Sequence, residues 1–430
     1  MKPVALPLSI ATAFMVLTAA AAAAPARIDL AALYLDLHQH PELAFQETRS
    51  SAILAAEAKA AGFTVTTGVG KTGVVAMLVN GPGPVLLIRA DMDALPVKEA
   101  TGLSYASTAM SPVPGASPVP VMHACGHDIH MTAWVGVARA MAARKADWHG
   151  TLLMVAQPAE EVVGGAKAML DDGLYSRFAK PQFALAFHDS ASLPAGEVGI
   201  TDGYALANVD SVDLTVRGIG SHGSEPQNGV DPIVIAARIV GTLQTLVSRE
   251  NDPRQPAVVT VGSFHAGTKH NIISDEAKLL ITVRSYDPVV RARLVAGIRR
   301  IAKAEAEAAG LPPELLPVVT TGQPSQSTFN TPKLTATVTA ALEQALGASK
   351  VKRVPASMAA EDFGAFSRDQ GIESAIFWVG AQPRAVWDAA AGDPRKLPGL
   401  HSAKFAPDPA PTISTAVTAM TAAALSVVGK

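Results

Sequence analysis

Val85-Leu86-Leu87-Ile88-Arg89-Ala90-Asp91-Met92-Asp93 runs four apolar residues straight into a pair of aspartates. A short, nearly continuous apolar run of this kind reads as a central strand of a sheet covered on both faces by helices. The pattern returns twice. Leu152 to Ala156 leads to Glu160 and Glu161, and Phe183 to Phe187 leads to His188. In open α/β sheets, ligands gather beyond the carboxyl ends of the strands, where loops present polar groups. Three such ends side by side would form one site. A helix from about Asp128 to Arg144, apolar along Met131, Trp134, Val135, Ala138 and Met141, would deliver Cys125 and His127 to it.

On either side the α/β rhythm continues. Leu30 to Leu37 and Ser50 to Ala61 read as helices, and Thr64 to Thr67 and Val74 to Val79 as strands. Near Asn208 the rhythm changes. Val212 to Val216, Pro232 to Ser248, Ala257 to Phe264, Ala277 to Arg284, Val289 to Ala309 and Pro317 to Thr320 read as β-α-β-β-α-β, the ferredoxin-like split unit. That order predicts an inserted module over 207–320 inside a discontinuous α/β core of 27–206 and 321–430. The core resumes with a helix at Lys333 to Leu346, a strand at Ser374 to Val379 and a helix at Ala410 to Val428.

The length of 430 residues suits two domains. A formal charge of −2 provides no basic field for nucleic acid, so small molecules are the expected partners. Lys2 followed by an apolar run from Pro3 to small residues at Ala20 to Ala24 reads as a signal peptide over 1–24, with export to the periplasm or beyond and no membrane attachment after its removal. An uncleaved anchor is the alternative, because about 20 apolar residues span a bilayer. No later stretch reads as long and apolar enough to do so. Cys125 is the single cysteine, which excludes an intramolecular disulfide and leaves a spectator, a reactive thiol or a metal ligand.

The densest chemistry is His123-Ala124-Cys125-Gly126-His127-Asp128-Ile129-His130. Thiolate, imidazole and carboxylate together are the ligand set of a borderline divalent metal, and they disfavour Mg²⁺ or Ca²⁺. Glu160 and Glu161 are adjacent in non-helical sequence, so one carboxylate can ligate while the other takes a proton. His188 and His401 are weaker alone, since a lone histidine is more often a satisfied, partly buried residue. Asp91 and Asp93 read as ligands or as carboxylates that orient histidine rings, with Asp128 a further candidate for the second role. In the insert, Gly218-Ile219-Gly220-Ser221-His222-Gly223-Ser224 sets His222 among glycines as a candidate donor to an oxyanion, or as an incidental turn histidine. Arg284 offers a planar fork for a substrate carboxylate, or an ordinary salt bridge, and Asn271 precedes it.

In order along the chain, Arg89 to Pro96, Met122 to Asp128, Gln157 to Glu161, Gly220 to Gly223, Glu361-Asp362-Phe363 and His401 resemble the M20 metallopeptidase family, in its amidohydrolase branch with hippurate hydrolases and plant auxin-conjugate hydrolases. The resemblance implies a mixed-sheet, helix-covered di-metal core with an inserted lid that also mediates homodimerisation. It implies that Cys125, His127, Glu161, His188 and His401 bind two divalent ions, Mn²⁺ or Zn²⁺, and that Glu160 is the general base. His222 would then serve the neighbouring subunit's site, while Asn271 and Arg284 hold the substrate carboxylate. Ala360 and Ser224 depart from the usual Ser and Ala of the family pattern. The implied reaction is hydrolysis of an N-acyl or N-aroyl amino acid. The alternatives are an exported dipeptidase or carboxypeptidase and a non-catalytic metal-dependent binding protein.

Overall fold

The computed structural model describes Met1 and residues 28–113, 115–322 and 324–430; the expected signal peptide lies outside the described residues. Along the chain the core begins with helices α1 (Leu30–Gln39) and α2 (Thr48–Ala60) and strands β1 (Thr64–Val69), β2 (Gly73–Asn80) and β3 (Val85–Asp91). It continues with α3 (His127–Ala143), β4 (Gly150–Gln157), β5 (Phe183–Pro194) and β6 (Val198–Ile200). The insert comprises β7 (Asn208–Arg217), α4 (Pro232–Thr245), β8 (Ala257–Ala266), β9 (Glu276–Ser285), α5 (Pro288–Ala308) and β10 (Val318–Thr321). The core then resumes with α6 (Pro332–Leu346), β11 (Val351–Arg353), β12 (Glu373–Gln382) and α7 (Pro409–Val428).

The core strands form one eight-stranded mixed sheet, ordered β1-β2-β4-β3-β5-β12-β6-β11. β3 lies between β4 and β5, parallel to both, and β12 is parallel to β5. Alternate residues enter two separate apolar layers. Leu86, Ile88, Leu152, Met154, Leu185 and Phe187 pack beneath α1, α3 and α7, while Leu87, Leu153, Val155, Ala184 and Ala186 face Phe363, Phe366 and Met169. Burial on both faces explains why these strands read as continuous rather than alternating apolar runs. β5 is longer than its apolar run suggests. His188 lies inside it, paired with Trp378 of β12, instead of following its end.

The insert is a four-stranded antiparallel sheet ordered β8-β9-β7-β10, with α4 and α5 packed on one face around a core of their own. Both helices start with the same two residues. Asp231 and Asp287 accept from the N–H groups of Ile233 and Val289, and Pro232 and Pro288 fill the first helical position, where no N–H is required.

α7 is long and apolar enough to cross a membrane by composition alone, contrary to the sequence expectation. It packs instead on α3 and α6. A glycine on α3 permits the close approach: a Cβ on Gly136 would lie 2.4 Å from Val417 Cγ2 of α7.

A buried ion cluster ties α1 to the start of α3. His38 Nδ1 lies 2.6 Å from Asp128 Oδ2, and its Nε2 lies 3.3 Å from Glu99 Oε1. Burial opposes a charged ring, but these two hydrogen-bonded carboxylates outweigh it and raise the His38 pKa to about 10. The stability this contributes is fully present below the ordinary value of 6.5 and is lost as pH rises through about 10. His38→Ala leaves two buried carboxylates unpaired and is expected to cost about 3–5 kcal/mol at pH 7. Urea unfolding from pH 6 to 10 should show a decline in the wild type that the variant lacks; parallel profiles would rule out the charged clamp.

Candidate functional site

The parallel strands β4 and β3 deliver the site from their carboxyl ends and β5 contributes His188 from within its length, and the segment just after β4 is the site's most constrained part. Ala159 and Val163 flank the two glutamates with φ of 52° and 54°, a left-handed backbone that costs non-glycine residues about 1–3 kcal/mol each. Three successive N–H groups are held by buried carboxylates. Glu47 Oε1 accepts from Ala159 at 2.8 Å, and Asp93 accepts from Glu160 at 2.9 Å and from Glu161 at 3.0 Å. Asp93 is thereby committed to the backbone, and its own carbonyl accepts from His127 Nδ1 at 2.7 Å. Glu47 also accepts from Phe45 N–H and from the Thr72 hydroxyl, and burial pushes its pKa up to about 7.

The five expected ligands come together. One ligand atom each of Cys125, His127 and Glu161 lie within 4.8 Å of one another. His188 Nε2 is 3.6 Å from Cys125 Sγ, and His401 Nε2 is 3.4 Å from Glu161 Oε2. Because His127 uses Nδ1 on Asp93, its Nε2 faces the cluster, where it is buried without a hydrogen-bond partner among the described residues, as is Glu161 Oε1. Gly126 makes the approach of Cys125 possible. Its φ is 74°, and a Cβ there would lie 2.3 Å from Asp189 Oδ2.

The electrostatics call for a cation. Burial, and then the charges of Glu161, Glu160, Asp189 and Asp91, push the Cys125 thiol well up. Burial works against protonation of His127, yet Asp91 and its neighbours hold it at about 9. Orphaned donor atoms of mixed sulfur, nitrogen and oxygen type in a negative, buried cluster fit divalent metal ions.

Two neighbouring groups resemble ligand sets but are already satisfied. His130 Nδ1 donates to Asp91 Oδ1 at 2.5 Å and its Nε2 accepts from Asp189 N–H at 2.8 Å, so neither ring nitrogen is free. Glu361 and Asp362 surround Arg89, which donates to Glu361 at 3.0 and 2.7 Å, while Asp362 accepts from Gln157 at 2.6 Å and Ala166 N–H at 3.0 Å. Glu160 sits beside this group with Oε2 4.0 Å from His127 Nε2. Burial, then Glu361, Glu161 and Asp362, raise its pKa well above the carboxylate range.

Of the remaining candidates, Asp91 also accepts from Arg89 at 2.5 Å and supports His130, while Asp128 points away to His38. Arg284 reaches a cavity of about 890 Å³ that also contains Cys125, Glu160, Glu161, His188 and His401. His222 and Asn271 do not line that cavity within one chain. They sit together on the insert, where Gly223 N–H donates to the Asn271 carbonyl at 2.9 Å, with His222 exposed and Asn271 Oδ1 unpartnered. Sequence reasoning missed His38, Glu47 and Asp189, whose partners lie 59 to 112 residues away along the chain.

The profile of the peptidase family M20/M25/M40 matches residues 87–392. The chain belongs to this family. Among its relatives, the hippurate hydrolase of Campylobacter jejuni is 38% identical over 273 residues, spanning 63% of this chain and 68% of that protein. The N-acetylcysteine deacetylase of Bacillus subtilis is 36% identical over 270 residues, spanning 62% and 68%. The crystal structure of the Bacillus subtilis YXEP protein, described as a dinuclear metal binding peptidase from the M20 family, superposes with a TM-score of 0.73 at 27% identity over 93% of this chain and 97% of that one. This M20 chain is therefore a hydrolase that acts on amides.

The hold on Ala159 can be tested directly. Glu47→Ala strands buried donors at about 1–3 kcal/mol each and frees the turn that carries Glu160. The expected result is a folded enzyme with kcat lowered at least about tenfold, and Glu47→Gln, which retains an acceptor, should fall between the two. Equal kcat in Glu47→Ala and wild type would show that the turn holds itself.

Proposed function

We propose that this M20 enzyme cleaves N-acyl or N-aroyl amino acids to a carboxylate and a free amino acid, working as an exported homodimer with two Mn²⁺ or Zn²⁺ ions per subunit. The observation that carries the reading is Glu160. It is a buried carboxyl of raised pKa beside unpartnered His127 Nε2, in a cavity that also holds one half-buried arginine, Arg284.

Cys125, His127, Glu161, His188 and His401 would hold the ions, which lower the pKa of a water and polarise the amide carbonyl. Glu160 takes the proton of the attacking water and returns it to the amine nitrogen as the C–N bond breaks, and burial among carboxylates, which raises its pKa, strengthens it as the acceptor of that proton. Arg284 pairs with the substrate carboxylate, its guanidinium otherwise spent, among the described residues, on long contacts of 3.3 Å to Thr282 and 3.4 Å to the Met358 carbonyl.

His222 completes the site in this reading. Ser224 N–H donates to its Nδ1 at 3.1 Å, which places the ring proton on Nε2, the tautomer able to donate to an oxyanion. Exposed on the insert, it supports a lid role in a partner's cavity. Exposed Phe264, Ile272 and Leu280 on the same module support pairing through it. The apolar leader Pro3 to Ala24 supports export.

Two experiments test this. Purified protein should release a free amino acid from N-acetyl and N-benzoyl substrates, lose that activity to chelator and regain it with Mn²⁺ or Zn²⁺; Glu160→Gln should bind metal normally while kcat falls by about 10²–10⁴. Near-normal turnover in that variant would reassign the base. Mixing inactive Glu160→Gln and His222→Ala chains should restore about a quarter of wild-type activity, because half the exchanged two-fold dimers contain one intact composite site. No recovery despite demonstrated subunit exchange would place His222 outside the partner's site.

A further inference from the structure

One row of the core sheet passes from the candidate metal cluster into apolar territory. His188 on β5 pairs in parallel register with Trp378 on β12, and Trp378 pairs in antiparallel register with Gly199 on β6. Residues in register project from the same face, and neighbouring strands lie about 4.8 Å apart. At Gly199 the side chain is missing, and two apolar groups close over the gap. A Cβ there would lie 2.8 Å from Val354 Cγ1 and 2.9 Å from Leu193 Cδ1. Trp378, Leu193, Val354 and Leu206 all line the cavity that contains Glu160 and Arg284. Trp378 is half-buried, with its ring packed partly on the layer of Leu206 and Ile376.

We propose that this row, with Trp378 as its floor, is the acyl subsite, and that the enzyme prefers amino acids carrying a bulky apolar acyl group, aromatic above all, to N-acetyl amino acids. The inference rests on the amidohydrolase reading and makes its substrate class specific. With the carboxylate at Arg284 and the amide between Glu160 and His188, the part of the substrate beyond the carbonyl continues over Trp378 toward Leu193 and Val354. An acetyl group ends at one methyl and leaves this surface against water. A benzoyl ring covers it, and the indole face accepts a stacked or edge-on ring. A cavity of about 890 Å³ is also far larger than an N-acetyl amino acid requires.

The test compares kcat/KM for N-acetyl, N-hexanoyl and N-benzoyl derivatives of one amino acid, then for N-benzoyl derivatives of several amino acids, in wild type, Trp378→Ala and Trp378→Phe, with bound metal measured in each. The expected wild-type preference for benzoyl over acetyl is about tenfold or more. It should collapse in Trp378→Ala and largely survive in Trp378→Phe, whose ring preserves the floor if the alanine variant fails to fold. Hydrolysis of N-acyl amino acids with equal benzoyl-to-acetyl ratios in all three proteins overturns the subsite and leaves the amidohydrolase reading standing. A change confined to the amino-acid series overturns it in favour of a side-chain pocket. Cleavage of dipeptides alone, with no N-acyl amino acid turned over, overturns both.

Discussion

Arg89 is the interaction on which the two halves of the core depend. It is fully buried near the end of β3 and spends its fork on Gln157 of β4, on Asp91 two residues ahead, and on Glu361 and Asp362 from beyond the insert. The chain leaves the core for more than a hundred residues between these partners, so their meeting closes the discontinuous fold. A lysine could not replace it. One ammonium has no planar fork to serve Glu361 through two nitrogens and Gln157 through a third. The buried charge also has to be satisfied from several directions at once, which is the condition under which a buried ion pair is tolerated.

The same group leaves a charge deficit. Arg89 is one cation among Asp91, Glu361, Asp362 and Glu160, and Asp189 and Glu161 lie close by. The fold relieves part of this by protonation: burial holds Asp362 at about 7 despite Arg89, and Glu160 lies well above its ordinary range. The rest falls on the Cys125, His127 and Glu161 cluster, whose unpartnered atoms point at one another. In the proposed mechanism, metal affinity and the basicity of Glu160 thus share one origin, an excess of buried carboxylate over buried guanidinium. A compensating second arginine would stabilise the apoprotein and weaken both.

Much of this was legible in the sequence because it depends on local pattern. The apolar runs of β3, β4 and β5 declared two-sided burial, the β-α-β-β-α-β order declared the insert, and the cysteine-histidine segment declared a soft ligand set. What escaped was set by long-range pairing. Asp128 read as support for a ligand because it adjoins His127, but it occupies the first turn of α3, where successive side chains diverge, and it faces His38. Glu47 belongs to no local motif; its role is defined by an N–H group 112 residues later. His188 read as a residue after a strand because the apolar run stops at Phe187, whereas β5 continues and pairs with β12 as far as Pro194. α7 escaped as a membrane-length helix because alanine dilutes its bulkier apolar residues, while it packs closely on α3 and α6.

The strain at Ala159 and Val163 shows what the core structure is arranged to support. Glycine at either position would remove the backbone penalty, so two non-glycine residues in left-handed conformation survive only because their surroundings over-determine them. Around Ala159 those surroundings are Glu47 and Asp93, carboxylates that are themselves costly to bury and that accept from the N–H groups of Ala159, Glu160 and Glu161. Consecutive N–H groups pointing at carboxylates on one side force the side chains of Glu160 and Glu161 to the other, where one meets the ligand cluster and the other approaches Arg89. Two adjacent glutamates in a regular strand would face opposite sides of the sheet, and in a helix they would splay by about 100°. The strained turn is therefore the geometric means by which neighbouring carboxylates share one cavity while keeping separate partners, the separation that the roles proposed for Glu161 and Glu160 require.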